Sequence, residues 1–307
     1  MKILLLGKNG QLGWELQRSL ASLGEVVACG RAEADLAKLS DLRALVRKIS
    51  PQVIVNAAAY TAVDKAESEP DLAFLINSEA VDLLAKEASL LNAWFIHYST
   101  DYVFDGAKEG AYVETDATAP LGIYGQSKLS GEEAIRAADC RHLIFRTSWV
   151  YAARGSNFVK TMLRLARERE EIKVVCDQIG APTSAELLAD VTACCLYRLQ
   201  YDAIFASQQS GTYNLAASGS TSWHGFAQLI LNEALRLGVR LRATSEKVLA
   251  IPTSDYPLPA KRPSNSRLAT KKISSIFGLE LPSWQLHAKR IVAEIVYNNE
   301  LIDKRYQ

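Results

Sequence analysis

Short apolar runs alternate with longer segments of helical spacing over the first half of the chain. Lys2–Leu6 is apolar and ends at a glycine, which predicts a buried strand, and the leucines from Leu12 to Leu23 recur at helical spacing. The same alternation predicts further strands at 25–29, 53–55, 94–98 and 142–146, and helices at 40–49, capped by Ser40, at 70–91 and at 122–138. The pattern therefore predicts an α/β fold, a Rossmann-type doubly wound parallel sheet.

The pattern changes after about residue 172, where six of the nine prolines lie. Helical spacing returns at 186–200, 222–237 and 284–297, but the connections between these segments are long and irregular. We therefore predict a dinucleotide-binding Rossmann domain at 1–172 and a mainly substrate-binding lobe at 173–307, although segments such as 213–216 could return to the first sheet. Ligands of such sheets bind beyond the carboxyl ends of the strands, which the second lobe would cover.

Charge and cysteine content exclude several classes of function. The 307 residues include 35 Lys+Arg and 34 Asp+Glu, so the net charge of +1 gives no general reason to bind nucleic acid or an acidic membrane. No apolar run approaches the ~20 residues of a membrane-spanning helix, and the apolar start is too short for a signal peptide. The five cysteines are odd in number and scattered, without zinc-like spacing. We expect a cytoplasmic protein.

The first predicted strand leads into a glycine-rich turn. Gly7, Gly10 and Gly13 form a G-x-x-G-x-x-G turn between a strand and a helix, which favours binding of a dinucleotide pyrophosphate over a plain turn. Arg31 follows the second strand, where an arginine accommodates the 2′-phosphate of NADPH. A solvated loop arginine is the alternative, and Glu33 nearby would weaken the preference, so NADH use stays possible.

A threonine, a tyrosine and a lysine form the most informative group. Tyr124 and Lys128 lie four residues apart, so on a helix both project from one face. A lysine cation beside a tyrosine lowers the pKa of the phenol and prepares it for general acid catalysis. Thr100 follows the fourth strand, at the edge of the sheet where substrates bind. Combined with the glycine turn, this group favours a catalytic site over a chance helix pair.

Longer segments carry a resemblance to a known family. The stretches at 56–67, 97–104, 146–151, 177–183 and 262–266 are similar to signatures of the dTDP-4-dehydrorhamnose reductase family, part of the extended short-chain dehydrogenase/reductases. The resemblance extends from Met1 to about Tyr297. It implies NADPH-dependent reduction of the C4 ketone of dTDP-4-dehydro-L-rhamnose, with Thr100, Tyr124 and Lys128 as catalytic residues.

The resemblance also implies which residues bind the ligands. The expected cofactor-binding residues are Gly7, Gly10, Gln11, Leu12, Gly13, Arg31, Asp35, Leu36, Ala59, Tyr60, Thr61, Tyr98, Tyr124 and Lys128. The expected contacts of the dTDP-sugar are Thr100, Asp101, Trp149, Asn157 and Arg262. Packing in the core is the alternative for Trp149, and loop hydrogen bonds to the backbone are the alternative for Asn157 and Arg262.

A metal and a second copy of the chain complete the expectations. By resemblance, Glu15, Glu186 and Glu294 are candidates to hold a structural Mg²⁺ at a homodimer contact, with solvated helix carboxylates as the alternative.

Two other functions stay open. An epimerase or dehydratase shares the fold, but dehydratases carry an acidic pair after the threonine, whereas only Asp101 follows Thr100. A non-catalytic, cofactor-binding regulatory subunit could lose Tyr124 or Lys128, yet both are present.

Overall fold

The computed structural model describes the backbone of residues 1–305 and the side chains of residues 1–298, so residues 306 and 307 of the predicted second lobe lie outside it. The strands are β1 (Lys2–Leu6), β2 (Glu25–Cys29), β3 (Val53–Asn56), β4 (Trp94–Thr100), β5 (His142–Thr147), β6 (Val150–Tyr151), β7 (Ile172–Val175), β8 (Ile179–Gly180), β9 (Thr183–Ser184), β10 (Gly211–Asn214), β11 (Thr221–Ser222) and β12 (Val248–Ile251). The α-helices are α1 (Gln11–Leu20), α2 (Leu39–Ile49), α3 (Val63–Ala66), α4 (Pro70–Phe74), α5 (Ala80–Leu90), α6 (Ile123–Ala137), α7 (Phe158–Glu168), α8 (Ala185–Tyr201), α9 (Ala203–Ala206), α10 (Trp223–Arg236), α11 (Lys271–Phe277) and α12 (Trp284–Arg305).

Six parallel strands form the central sheet, in the order β10-β5-β4-β3-β1-β2. The predicted Rossmann-type fold is therefore confirmed. Strand order reverses between β1 and β3, and in such sheets ligands bind at the carboxyl edge beside this reversal. The turns after β1 and β3 meet there: a Cβ on Gly7 would lie 2.8 Å from the Ala58 nitrogen.

Alternate side chains of the strands enter two different layers of helices. Ile3 and Leu5 of β1 pack with Leu16 of α1 and Leu188 of α8, and Leu4 packs on the opposite face of the sheet. That opposite face is covered by apolar side chains of α2, α5 and α6, namely Leu42, Val46, Leu84 and Ile135. Both faces of the sheet are buried, which explains why the strands read as continuous apolar runs.

The chain beyond residue 172 contributes to the sheet as well as to a region beside it. β10 pairs with β5 from Gly211↔Leu143 to Asn214↔Arg146, so this segment returns to the first sheet, as the sequence allowed. The remaining strands form three two-stranded sheets, β6-β9, β7-β12 and β8-β11. The assignment of 173–307 as a substrate-binding lobe stays a prediction.

Two predicted helices differ in detail from the observed ones. α2 begins at Leu39 and its N-cap is Lys38, so the prediction that Ser40 caps this helix is wrong; the Ser40 hydroxyl donates to the neighbouring Asp41 instead. The predicted helix at 70–91 is interrupted by a π-helical turn at Leu75–Glu79 between α4 and α5. Asn77 in this turn bonds the backbone of Tyr60 and the Ser127 hydroxyl, a long-range contact without a local sequence signal.

Candidate active site

A pocket with a volume of about 700 Å³ opens at the carboxyl edge of the central sheet. It is lined by the turns that follow β1, β2 and β3 on one side and by the ends of β4 and β5 on the other. α6 adds Tyr124 and Lys128 to its wall, and the start of α10 adds Trp223. The pocket therefore lies where the strand order predicts a ligand.

The turn from β1 into α1 requires its glycines for two physical reasons. Gly7 has a φ of +89°, a backbone conformation that side chains other than glycine rarely adopt. A Cβ on Gly13 would lie 2.0 Å from the Gly7 carbonyl oxygen, so only glycine lets the helix pack so closely on the turn. Gly10 is the N-cap of α1 and no side chain caps this end, which leaves helix N–H donors for an anion.

Most of the predicted cofactor residues converge on this pocket. Those that line it are Gly7, Gly10, Gln11, Leu12, Arg31, Asp35, Leu36, Ala59, Thr61, Tyr98, Tyr124 and Lys128. Gly13 lies beneath the turn and acts through its packing. The Tyr60 hydroxyl donates to Glu69 at 2.7 Å, and its backbone N–H donates to Asn77, so this side chain is directed to protein rather than to the pocket.

Arg31 lines the pocket and its side chain is mostly exposed. Its side chain is 80% exposed and its Nε lies 3.6 Å from an Asp35 carboxylate oxygen. Glu33 is already engaged, because it accepts from Lys8 Nζ at 2.6 Å and from the Gly30 N–H at 2.8 Å. An arginine with one exposed, long contact can turn towards a phosphate without breaking a buried ion pair.

Thr100 and Tyr124 meet on one wall of the pocket. Burial raises the pKa of Tyr124 to about 12, and the nearby Thr100 hydroxyl opposes this shift. The Tyr102 ring packs edge-on against the Tyr124 ring at 5.5 Å between centroids, which fixes the phenol in place. Tyr124 therefore keeps its proton at neutral pH.

Lys128 is almost fully buried and is held by the protein. Its Nζ donates to the Tyr98 carbonyl oxygen at 2.6 Å and lies 3.1 Å from His97 Nε2. Burial lowers the pKa of Lys128 to about 8, although the Glu132 carboxylate acts in the opposite direction. Burial of the phenol has the larger effect, so the pKa of Tyr124 is raised in the free protein, and a lowering contribution from Lys128 stays a prediction.

Asp101 brings a carboxylate into the same pocket. The Thr100 hydroxyl donates to its Oδ1 at 3.1 Å and the Ser266 hydroxyl lies beside the carboxylate, whereas its buried Oδ2 has no hydrogen bond of good geometry to the described residues. Burial raises the pKa of Asp101 to about 6. A buried carboxylate oxygen without a partner is costly, and such groups are kept where a ligand satisfies them.

A buried ion pair supports the wall behind the site and was missed from the sequence. Glu132 and Arg146 make two hydrogen bonds, of 2.6 and 2.9 Å, and the Ser99 hydroxyl donates to Glu132 at 2.5 Å. The pair links α6 to β5 and to the strand end that carries Thr100. An arginine inside an apolar predicted strand was the available signal, because a buried charge needs a partner.

Two stacked tryptophans also line the pocket. Trp149 has a φ of +49°, the left-handed region that large residues rarely adopt, and its ring lies 3.6 Å from the Trp223 ring at an interplanar angle of 11°. Gly180 permits this position, since a Cβ there would lie 2.6 Å from the indole. Trp223 was not predicted, because its helix lies far from Trp149 in the sequence.

Asn157 and Arg262, which the sequence also assigned to the substrate, are directed to protein atoms. The Asn157 side chain accepts from the Lys160 N–H, so it caps α7, and it donates to Gln11 and to the Ala152 carbonyl oxygen. Arg262 makes a two-pronged ion pair with Asp64, at 2.9 and 3.1 Å. The structure does not place either of these side chains among the residues that line the pocket.

The three predicted metal ligands lie near each other, away from the pocket. The charges of Glu186 and Glu294 contribute to raising the pKa of Glu15, after the larger effect of burial. Glu186 is already paired with Arg290 at 3.2 Å and with His287 at 3.4 Å. Within the part of the chain that the structure describes, no three His, Cys, Asp or Glu side chains form a group able to hold a metal ion.

Comparison with known proteins identifies the family. The family model described as the RmlD substrate binding domain matches residues 1–297. The chain belongs to this family. The dTDP-4-dehydrorhamnose reductase of Escherichia coli K12 is 52% identical over 303 residues, which cover 96% of this chain and 98% of the relative.

Solved structures of this reductase family agree with the fold throughout its length. The dTDP-4-dehydrorhamnose reductase ortholog of Clostridium acetobutylicum superposes with a TM-score of 0.87 at 35% identity, covering 96% of this chain and 99% of the other. The Bacillus anthracis reductase, crystallised in complex with NADP, gives a TM-score of 0.83 at 34% identity, with 95% and 99% covered. Among the described helices of the present chain, none is long and apolar enough to cross a membrane.

Proposed function

We propose that this chain reduces the C4 ketone of dTDP-4-dehydro-L-rhamnose to the alcohol of dTDP-L-rhamnose, with NADPH as the reductant. The observation that carries the proposal is the convergence of Thr100, Tyr124 and Lys128 on a pocket that begins at the glycine turn. Relatives named for this reaction share 52% of their residues with the chain over nearly its whole length.

The residues present fit a dinucleotide phosphate. The glycine turn brings backbone close to the pocket, and the uncapped N-terminus of α1 offers N–H donors to a pyrophosphate. Asp35, Leu36, Ala59 and Thr61 line the pocket; by resemblance we assign the first two to the adenine side and the last two to the ribose and phosphates. We assign Arg31 to a 2′-phosphate, so we expect NADPH to be preferred, with NADH as a poorer substitute. The bound cofactor supplies the hydride.

The protein contributes a proton and hydrogen bonds at the ketone oxygen. Tyr124 retains its proton at neutral pH because burial raises its pKa, so a phenol O–H is available to the oxygen as charge develops there. The Thr100 hydroxyl lies beside it and donates to Asp101 Oδ1 in the free protein, so it supplies a second hydrogen bond once that O–H turns to the substrate. Donors held close to the oxygen stabilise the developing charge with little reorganisation, which is the largest catalytic effect such a site offers.

Lys128 acts after the proton has been given. Tyr124 is then a phenolate, and the ammonium of Lys128, one helical turn along α6, stabilises that negative charge. By resemblance, the lysine also binds the nicotinamide ribose, which would require one of its N–H donors to face the cofactor. Its other partners, the Tyr98 carbonyl and His97, hold the side chain in place.

The substrate side of the pocket offers one acceptor and one aromatic surface. We propose that Oδ2 of Asp101 accepts a hydrogen bond from a hydroxyl of the sugar, and that the edge of the Trp149–Trp223 stack contacts the sugar nucleotide. A single acid after Thr100 fits a simple reductase better than a dehydratase. The presence of Tyr124 and Lys128 in the pocket argues against a non-catalytic regulatory subunit.

Three further properties stay predictions. Mg²⁺ could be held between two copies of the chain by Glu15, Glu186 and Glu294, whose mutual repulsion a cation would relieve. A homodimer follows from the same contact. Placement in the cytoplasm rests on the unpaired cysteines, since all five are free thiols. The hydride transfer itself requires none of these properties.

A direct assay tests the proposal. The purified chain is incubated with dTDP-4-dehydro-L-rhamnose and NADPH, and the loss of NADPH absorbance is followed together with formation of dTDP-L-rhamnose. Oxidation that requires the sugar nucleotide is the expected result. A folded protein that binds NADPH but does not oxidise it with this substrate would overturn the proposal, and the same assay with UDP-linked 4-keto sugars measures nucleotide selectivity.

A further inference from the structure

A buried chain of polar groups runs from Lys128 into the central sheet. The His97 side chain on β4 is fully buried, and Asn56 at the end of β3 is 1% exposed. His97 Nε2 lies 3.1 Å from Lys128 Nζ, and His97 Nδ1 lies 3.3 Å from Asn56 Nδ2. Neither His97 nor Asn56 lines the pocket, so any effect on the reaction must pass through Lys128 or the backbone next to Asn56.

The donors and acceptors around His97 determine which nitrogen of its imidazole carries the proton. Burial holds the pKa of His97 well below its usual value, so the ring is neutral and has one N–H donor and one acceptor. Asn56 Oδ1 accepts from the Ala58 N–H at 3.2 Å, which directs the amide Nδ2 towards the ring. His97 Nδ1 is then the acceptor and Nε2 carries the proton. That proton finds an acceptor at Lys128 only when the lysine is an uncharged amine.

A charged Lys128 requires the opposite arrangement. An ammonium has three donors and no acceptor, so His97 Nε2 must accept and the ring proton must lie on Nδ1. The Asn56 amide then has to turn, so that its oxygen accepts from Nδ1–H and no longer from the Ala58 N–H. Ala58 lines the cofactor pocket, so the charge on Lys128 changes a backbone donor at the other side of that pocket. Burial lowers the pKa of Lys128 to about 8, which places both arrangements in an accessible pH range.

We propose that His97 and Asn56 are positioning residues that couple the protonation of Lys128 to the hydrogen bonding of the Ala58 backbone. One proton enters from solvent to make the ammonium, and the ring keeps a single proton that moves from Nε2 to Nδ1. The titratable and charged groups near Lys128 include Tyr124 and Glu132 of α6, His97 and Tyr98 of β4, Asp101, and the Arg146 of β5 that pairs with Glu132. We call this coupling between Lys128, His97, Asn56 and the Ala58 N–H the relay. It rests on the proposed function only because that function assigns Lys128 to catalysis.

The tautomer of His97 is measurable without cofactor or substrate. The full chain is labelled with ¹⁵N-histidine, and long-range ¹H–¹⁵N NMR separates the protonated from the unprotonated ring nitrogen. The resonances of His97 are those missing from the spectrum of His97→Gln. We expect Nδ1–H at low pH, Nε2–H at high pH, and a midpoint near pH 8, where Lys128 titrates. A ring that keeps one tautomer over the whole range would overturn the relay.

Two variants test the two ends of the relay separately. Lys128→Met removes the titrating amine, so the ring should stay Nε2–H at every pH, held by Asn56; a ring that still switches would overturn the coupling. Asn56→Asp supplies a carboxylate that accepts from Nδ1–H and should hold that tautomer throughout. If Asn56→Asp does not fold, Lys128→Met alone decides. Turnover of the unmodified chain is assayed in parallel. If its His97 ring switches tautomer but it does not turn over, the result counts against the proposed function. If it turns over with a fixed His97 tautomer, the result counts against the relay.

Discussion

The two halves of the pocket are built in different ways. The half that we propose for the cofactor, here called the cofactor half, consists of short turns that directly follow β1, β2 and β3. Its shape depends on the backbone, since a Cβ on Gly13 would lie only 2.0 Å from the Gly7 oxygen. The substrate half is assembled from distant segments, as when Trp149 meets Trp223. Part of its polar surroundings is committed to protein contacts, such as the Arg262–Asp64 ion pair.

We expect the cofactor half to serve a general function, dinucleotide binding, and the substrate half to serve a specific one, recognition of the sugar nucleotide. A backbone cradle next to a helix N-terminus suits any dinucleotide, so it constrains the sequence locally and tolerates different chemistry elsewhere. The substrate half carries a buried carboxylate oxygen without a hydrogen bond, Asp101 Oδ2, and the strained backbone of Trp149. Strain and unmet hydrogen bonds are retained where a ligand compensates for them. Changes in the two halves should therefore affect different measurements.

The largest effect is expected between the halves, at Tyr124. Tyr124→Phe keeps the ring and its packing on Tyr102 but removes the proton donor, so kcat should fall by about 10²–10⁴-fold while the Kd for NADPH stays within about twofold. Stopped-flow turnover and fluorescence titration of NADPH measure the two quantities. The neighbouring Tyr102→Phe is the matched control, because the Tyr102 hydroxyl is not assigned to catalysis. Wild-type turnover in Tyr124→Phe would assign the acid to another group.

A methyl group in the cradle should affect the cofactor half alone. Gly13→Ala forces the turn apart, so we expect the Kd for NADPH to rise about tenfold or more and the free energy of unfolding to fall by about 1–3 kcal/mol. Gly110→Ala is the control, since the nearest atom to its Cβ would be 3.9 Å away. Calorimetric titration and urea unfolding measure the two quantities. Unchanged NADPH affinity in Gly13→Ala would contradict the role of the cradle.

The same contrast explains what the sequence could predict. The glycine turn, the first five strands of the sheet, and Tyr124 with Lys128 depend on local spacing, and the structure brings them to one edge. The Trp223 partner of Trp149 and the helix-capping use of Asn157 depend on contacts between distant segments. The pKa of Tyr124 also escaped prediction, because burial is a property of the folded surroundings rather than of spacing.

In the substrate half, the Asp101 carboxylate should lower the stability of the folded protein at neutral pH while contributing to turnover. Its folded pKa of about 6 exceeds the ordinary 3.8, so the folded state binds more protons and unfolding becomes easier as pH rises between these values. Asp101→Asn removes this loss and should stabilise the protein at neutral pH by about 1–3 kcal/mol while lowering turnover. Urea unfolding at several pH values measures it.

The control for Asp101 is Asp105, a carboxylate whose pKa is shifted in the opposite direction. The pKa of Asp105 is lowered by hydrogen bonds from the Ala107 N–H and the Tyr112 hydroxyl, so its stabilising contribution is present at neutral pH and is lost as pH falls. Asp105→Asn should therefore destabilise the protein at neutral pH. An Asp101→Asn protein that loses stability at neutral pH, as the control does, would contradict the prediction for the buried carboxylate.

Cofactor preference should depend on one exposed side chain. Arg31→Ala should raise the KM for NADPH about tenfold and leave the KM for NADH within about twofold, because only NADPH carries the 2′-phosphate and a charge-assisted hydrogen bond contributes about 1.5–3 kcal/mol. Steady-state kinetics with each cofactor measures the ratio. Lys8→Ala, whose cation is already paired with Glu33, is the matched control. Equal effects of Arg31→Ala on both cofactors would leave Arg31 without a role in selection.

The smallest effect is expected outside both halves, at the three glutamates. Repulsion from Glu186 and Glu294 contributes to the raised pKa of Glu15, and a divalent cation shared with a second copy of the chain would relieve it. Sedimentation velocity should then show more dimer with Mg²⁺ than with chelator, with hydride transfer unchanged. Glu186→Gln should abolish the Mg²⁺ dependence, whereas Glu168→Gln, in an exposed pair with Arg164, should retain it. If Glu186→Gln responds to Mg²⁺ as the unmodified protein does, the glutamates are ordinary helix carboxylates and any dimer forms through another surface.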